Sequence, residues 1–124
     1  MRREMQALRA GMSTTAHADA SARIVGHLLE ILAAPKIAAF CWPIKHEPDV
    51  RAVVERWAVL GVQAALPVVI AEDAPLAFRA WMPESRLVPD RYGIPTPDSG
   101  NWLVPDLILL PLNGFDAAGY RLGY

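Results

Sequence analysis

The sequence predicts an α/β layered domain with a largely parallel sheet, and three observations carry that prediction. The short runs KIAAFCW, VQAALPVVI and DLILLP are apolar nearly throughout, the pattern of strands covered on both faces. Segments with apolar residues at three- and four-residue spacing alternate with them, as helices do in layered folds. A chain of 124 residues, 53% of them hydrophobic, has room and material for one core.

Each element follows from its local pattern. Met5, Leu8 and Met12 share one side of a first helix, while Arg2 and Arg9, seven apart, share another. A second helix runs through MSTTAHADASARIVGHLLEILAAPK, with Ser13 or Thr14 as cap, an apolar stripe at Ile24, Val25, Leu28, Leu29 and Leu32, and Pro35 as its stop. The strand KIAAFCW and the turn PIKHEPD come next. Val50, Val53, Val54, Trp57 and Leu60 then mark a third helix, with Arg51 and Glu55 outward at i and i+4 and Gly61 as its stop. VQAALPVVI is the second strand, and LAFRAW a third, nearer an edge. Five of the eleven prolines fall within residues 83–105, which predicts an ordered loop with brief extended pieces. DLILLP reads as a final buried strand, and residues 113–124 as a glycine-rich loop.

Composition excludes several classes of function. Twelve basic against thirteen acidic residues give a net charge of -1, which argues against nucleic-acid binding through bulk electrostatics. One cysteine, Cys41, precludes an intramolecular disulfide and fits a cytoplasmic setting. The longest apolar stretch, WAVLGVQAALPVVIA, is broken by Gln63 and Pro67 and is too short to span a membrane. The first dozen residues carry three arginines and no apolar signal core. His17, His27 and His46 lack the spacing of a zinc site, and Walker, dinucleotide and serine-hydrolase motifs have no match.

In open α/β sheets ligands gather beyond the carboxyl ends of the strands. Two segments lie there: CWPIKHEPD, after the first strand, and NGFDAAGYRLGY, after the last. Glu47 is placed to accept hydrogen bonds from a ligand ring, or to serve as a helix-start residue favoured by the dipole. Trp42 is a stacking surface for a flat ligand or a lid on the core. The glycines after the last strand let backbone amides turn toward an anion. Arg121 is a fork for phosphate or a surface cation.

Four segments, RREMQALRAGMS, WPIKHEPDV, YGIPTP and DLILLPLNGFDAAGYRLGY, occur in the order found in 5-formyltetrahydrofolate cyclo-ligases, and the chain resembles that family over essentially its whole length. The last segment is the most specific. The resemblance implies a three-layer Rossmann-like domain of the NagB/RpiA/CoA-transferase-like kind. It implies ATP and Mg2+ as cofactors and closure of 5-formyltetrahydrofolate into 5,10-methenyltetrahydrofolate with release of ADP and phosphate. In the family mechanism ATP phosphorylates the formyl oxygen, the neighbouring nitrogen attacks, and phosphate departs. Carried over by position, Glu47 and Trp42 resemble folate-contacting residues. Arg2, with Arg3 assisting, resembles the basic N-terminal segment that reaches ATP. Arg121, Leu122, Gly123 and Tyr124 match the opening of the nucleotide loop, with Tyr124 also facing the folate. The resemblance further implies a cytoplasmic monomer with a small-molecule folate partner and neither nucleic acid nor membrane.

The chain also departs from the family pattern. The lysine that usually precedes the first arginine is absent, and Thr96 replaces a common glutamate. The further glycines, the magnesium-binding aspartate and the helix and strands that follow the loop in the family are not in these 124 residues. The expectation is a single cyclo-ligase domain over residues 1–124, incomplete at its C-terminus, with a fraying last loop and no turnover alone. The alternative is a non-catalytic folate-binding module or an inactive remnant.

Overall fold

The central strand β1 (Ile37–Ala39) has a parallel neighbour on each side, β2 (Gln63–Val68) and β7 (Leu107–Ile108), which puts the carboxyl ends of three strands along one border of the sheet. This arrangement was seen in a computed structural model of the chain, which describes residues 1–112, 114–118 and 120–122, with the backbone alone at 114, 115, 121 and 122. The sheet continues antiparallel through β3 (Ala77–Trp81) to β6 (Trp102–Leu103), giving the order β6-β3-β2-β1-β7. It is therefore parallel at its core and antiparallel at one flank. Between β3 and β6, β4 (Leu87–Pro89) and β5 (Pro95–Pro97) form the brief extended pieces foreseen in the proline-rich stretch and pair with each other.

Three helices form where the apolar spacing places them. Helix α1 (Arg2–Ala10) keeps Met5 half-buried but leaves Leu8 exposed, so its apolar side is only partly used. Helix α2 (Thr14–Ile31) is capped by Ser13, whose Oγ accepts the Ala16 N–H at 3.0 Å. Helix α3 (Arg51–Ala58) is followed by a turn that Gly61 completes at φ +88°, while the Val62 N–H donates back to the Trp57 carbonyl at 3.1 Å. Val53, Val54 and Trp57 of α3 pack with Phe40, Leu66 and Trp81 to form the core, and Val25, Leu28 and Leu29 of α2, with Leu32 at its C-cap, close over it.

Two expectations change at the end of the chain. The last strand is not buried on both faces: Leu107 and Leu109 join the core, whereas Ile108 and Leu110 point outward and are about half exposed. The glycine-rich segment is a short hairpin, β8 (Gly114–Phe115) against β9 (Arg121–Leu122). Asp116 shapes its turn: one carboxylate oxygen accepts the N–H groups of Ala118 at 2.9 Å and Tyr120 at 3.0 Å, and the Asp116 N–H donates to the Tyr120 carbonyl.

Asp106 ties β7 to the start of β1. Its carboxylate accepts from Ile37 N at 2.7 Å and Lys36 N at 3.1 Å, and its own N–H donates to the Ile37 carbonyl. These bonds, Ile37 first, hold its pKa below the ordinary carboxylate value of 3.8. The unfolded chain therefore binds the proton first, so the contribution of this tie is present above the unfolded value and fades as pH falls through the folded one. Asp106→Ala is expected to lower the melting temperature at pH 7 and to flatten the acid limb of the stability curve; an unchanged acid limb in circular-dichroism melts would contradict this.

Candidate functional site

A cavity of about 360 Å³ opens at the carboxyl ends of β1 and β7. Ile24 and Leu28 of α2 form one wall, Leu109 to Leu112 another, and Cys41, Glu47, Pro48 and Val50 the third. Its volume falls in the range of small-molecule sites, and its lining is apolar apart from Glu47 and the Cys41 thiol. Of the two segments singled out at the strand ends, the one after β1 lines the cavity through Cys41, Glu47 and Pro48, whereas the opposite wall is the end of the last apolar run, Leu109 to Leu112, just ahead of the glycine-rich segment. The contribution of α2 was read only as core stripe.

Glu47 is 3% exposed, a buried carboxylate three residues ahead of Val50, the N-cap of α3, rather than within the helix's first turn. Its Oε1 accepts the Ile44 N–H at 3.1 Å, and its own N–H donates to the Ile44 carbonyl at 2.9 Å. The residues between, Lys45 and His46, have φ values of 50° and 60°, a left-handed pair of the kind found at the centre of tight mirror-image turns. Non-glycine residues adopt this conformation at a cost of about 1–3 kcal/mol each, so the surroundings must hold the turn.

Those surroundings are α1 and α2. Arg9 Nε donates to the Lys45 carbonyl at 3.0 Å, His17 Nε2 bonds the Glu47 carbonyl at 2.8 Å, and Ser21 Oγ accepts the Asp49 N–H at 3.0 Å. Arg51 grips Asp49 through Nε at 2.9 Å and Nη2 at 2.6 Å, and its guanidinium lies 4.7 Å from the Trp42 ring centre. Arg51, placed outward with Glu55 one turn on, makes its two-pronged bond to Asp49 instead, with Glu55 contributing a weaker through-space attraction. The planar fork matches a carboxylate two residues back and covers an indole face at the same time. The Arg51 bond is also the main reason that the Asp49 carboxyl lies below its ordinary pKa.

Trp42 packs edge-on toward Trp81 at 6.2 Å and under Arg51; it belongs to the fringe of the core and is not among the residues that line the cavity. Arg2 and Arg3 are exposed in the first turn of α1, a helix tied to the Glu47 turn through Arg9. Thr96 is buried in β5. Of the nucleotide-loop residues, Gly123 and Tyr124 and the side chains of Arg121 and Leu122 lie outside the described residues. In the same segment the amides of Asp116, Ala118 and Tyr120 are engaged within their own turn, two of them with the Asp116 carboxylate. Among the described residues no group of three His, Cys, Asp or Glu side chains is placed to hold a metal ion, and no helix is long and apolar enough to cross a membrane.

Burial first, and the nearby Glu47 charge second, push the Cys41 thiol from 9.0 up to about 11. At pH 8 this lowers the thiolate fraction roughly a hundredfold relative to the ordinary thiol, because each pKa unit is a factor of ten. Cys41 is accordingly expected to react with iodoacetamide about a hundredfold more slowly in the native chain than in urea. Glu47→Gln should speed the native reaction by removing the like charge. Equal native and unfolded rates would contradict the burial argument.

The sequence profile of the 5-formyltetrahydrofolate cyclo-ligase family matches residues 1–124. The NMR structure of Aquifex aeolicus 5,10-methenyltetrahydrofolate synthetase aligns with a TM-score of 0.80 at 25% identity, over 99% of this chain and 64% of that one. The Mycoplasma pneumoniae 5,10-methenyltetrahydrofolate synthetase aligns with a TM-score of 0.73 at 25% identity, over 99% of this chain and 68% of that one. The chain thus spans about two thirds of the length of these solved structures. No curated protein shows a significant match.

Proposed function

Because the chain belongs to the 5-formyltetrahydrofolate cyclo-ligase family, we propose that it binds 5-formyltetrahydrofolate and serves its ATP-dependent closure to 5,10-methenyltetrahydrofolate, with release of ADP and phosphate. The observation that supports this reading most directly is the buried Glu47 carboxylate in the wall of an otherwise apolar cavity. A pterin ring has apolar faces and an edge of N–H donors. The leucines and prolines suit the faces, and an acceptor-only carboxylate suits the edge.

In the proposed reaction the terminal phosphoryl group of ATP forms a bond to the formyl oxygen as its bond to ADP breaks. The neighbouring nitrogen then attacks the formyl carbon, and the carbon–oxygen bond breaks as phosphate leaves. The residues of this chain act by holding and orienting the folate so that the two groups meet. Glu47 fixes the ring, with Trp42 and Tyr124 as further folate contacts. Arg2, Arg3 and the Arg121–Tyr124 segment are assigned to ATP as cations and backbone donors. Magnesium is proposed only as the ion that accompanies ATP, since the described residues hold no ligand set for it. A cytoplasmic monomer is the corresponding proposal for state and place.

A second reading, a folate-binding module without turnover, is favoured by one observation. The cavity is built from residues between Ile24 and Leu112, independently of the residues assigned to ATP. One experiment separates the two. The 124-residue chain is titrated with 5-formyltetrahydrofolate with and without ATP and Mg2+, reading calorimetry, Cys41 alkylation and methenyltetrahydrofolate absorbance. Saturable binding that shields Cys41 is expected. Absent binding, or binding that leaves Cys41 equally reactive, overturns both readings. Turnover assigns catalysis to this chain, and shielding without turnover assigns the binding module.

A further inference from the structure

The turn that carries Glu47 is strained at two consecutive residues, and its carbonyls are held from outside by side chains of two helices. We propose that His17 is a positioning residue of the folate site, acting through the Glu47 backbone. The inference rests on the assignment of Glu47 to the folate ring.

The chemistry of the contact fixes which ring nitrogen carries a proton. A backbone carbonyl only accepts, so the 2.8 Å bond requires the proton on Nε2 of His17, whether the ring is neutral or charged. His17 therefore acts as a donor, and its partner is 30 residues away in sequence, on the loop that delivers the carboxylate to the cavity. The His46 ring stands edge-on to His17, with ring centres 5.1 Å apart. One helical turn along α2, buried Ser21 accepts the Asp49 amide, so α2 grips the backbone on Glu47 and again two residues later. Arg9 of α1 grips it two residues earlier, at Lys45.

Without the His17 bond, the Glu47 peptide is free to rotate toward relaxed φ and ψ values. The carboxylate then reaches the ligand edge in only part of the population, and apparent affinity falls by that fraction. A glutamine at 17 retains an N–H donor on a side chain of comparable reach, whereas alanine and leucine have none.

The test measures 5-formyltetrahydrofolate affinity of the full 124-residue chain for the unchanged protein and for His17→Ala, His17→Gln, Glu47→Ala and the double variant His17→Ala/Glu47→Ala, with melting curves alongside. His17→Ala is expected to weaken binding about tenfold and His17→Gln to restore most of it. The double variant is expected to bind no more weakly than Glu47→Ala, because a residue that acts through Glu47 has nothing left to act on. His17→Leu replaces the alanine variant should that one not fold. Unchanged affinity in His17→Ala, no recovery with glutamine, or a double variant weakened by the product of the single effects overturns the inference. Full-strength binding by Glu47→Ala, or none by the unchanged chain, removes the folate assignment and this inference together. A loss in Glu47→Ala with no effect at His17 removes only the inference.

Discussion

Phe40→Ala is expected to destabilise the fold by about 3–5 kcal/mol, the range for emptying a fully buried aromatic site. Phe40 is 0% exposed, follows directly on the central strand, and meets Trp81 edge to face with ring centres 5.1 Å apart. Its neighbours, Val53, Val54 and Leu66, are held by α3 and β2 and have little freedom to collapse into the space. Domains of this size are stable by about 5–15 kcal/mol, so the loss consumes a large part of the margin. Urea denaturation of the two proteins should show the midpoint falling with little change in slope. A difference under about 1 kcal/mol would mean that the site relaxes and that the packing argument is wrong.

The second large effect is on ligand affinity. Glu47→Ala is expected to weaken 5-formyltetrahydrofolate binding roughly a hundredfold, from the loss of about 1.5–3 kcal/mol for a hydrogen bond to a charged group, at the upper end of that range because the carboxylate is buried. Glu47→Gln keeps an oxygen for the Ile44 N–H but offers the ligand no charge, so it should fall between alanine and the native residue. Calorimetric titration of the three proteins gives the order directly. Binding by the alanine variant within threefold of the unchanged chain would rule out Glu47 as the ring anchor.

Much of this site was legible because its signals are local. Ser13 announced the start of α2 by residue type, and Gly61 the end of α3. The position of Glu47, between an apolar strand and a helix, singled it out before any cavity was seen. The antiparallel direction of β3 was also legible in principle: the connection from Val68 to Ala77 is too short for the dozen or more residues a parallel crossover needs. What escaped reading is nonlocal. Helical spacing placed Arg51 and Glu55 outward, but did not show that a carboxylate just ahead of the helix, Asp49, would offer Arg51 both prongs at once. No pattern within a window of a few residues reveals that His17 serves a carbonyl on another element, or that Asp106 caps amides at the start of β1. The Asp116 turn had a readable cue, an aspartate followed by small residues, and the glycines drew attention away from it.

The parallel pairing of β1 has a consequence for the order of assembly. Its partner on one side is near in the chain, but the other is joined through Ile37 and Asp106, which are 69 residues apart. Closing so long a loop is entropically slow, and chains dominated by such distant pairings reach their native state late. During synthesis the β1–β2 pair and α3 are complete well before residue 107 leaves the ribosome, so one border of the central strand waits unpaired through that interval, open to chaperones or to a second nascent chain.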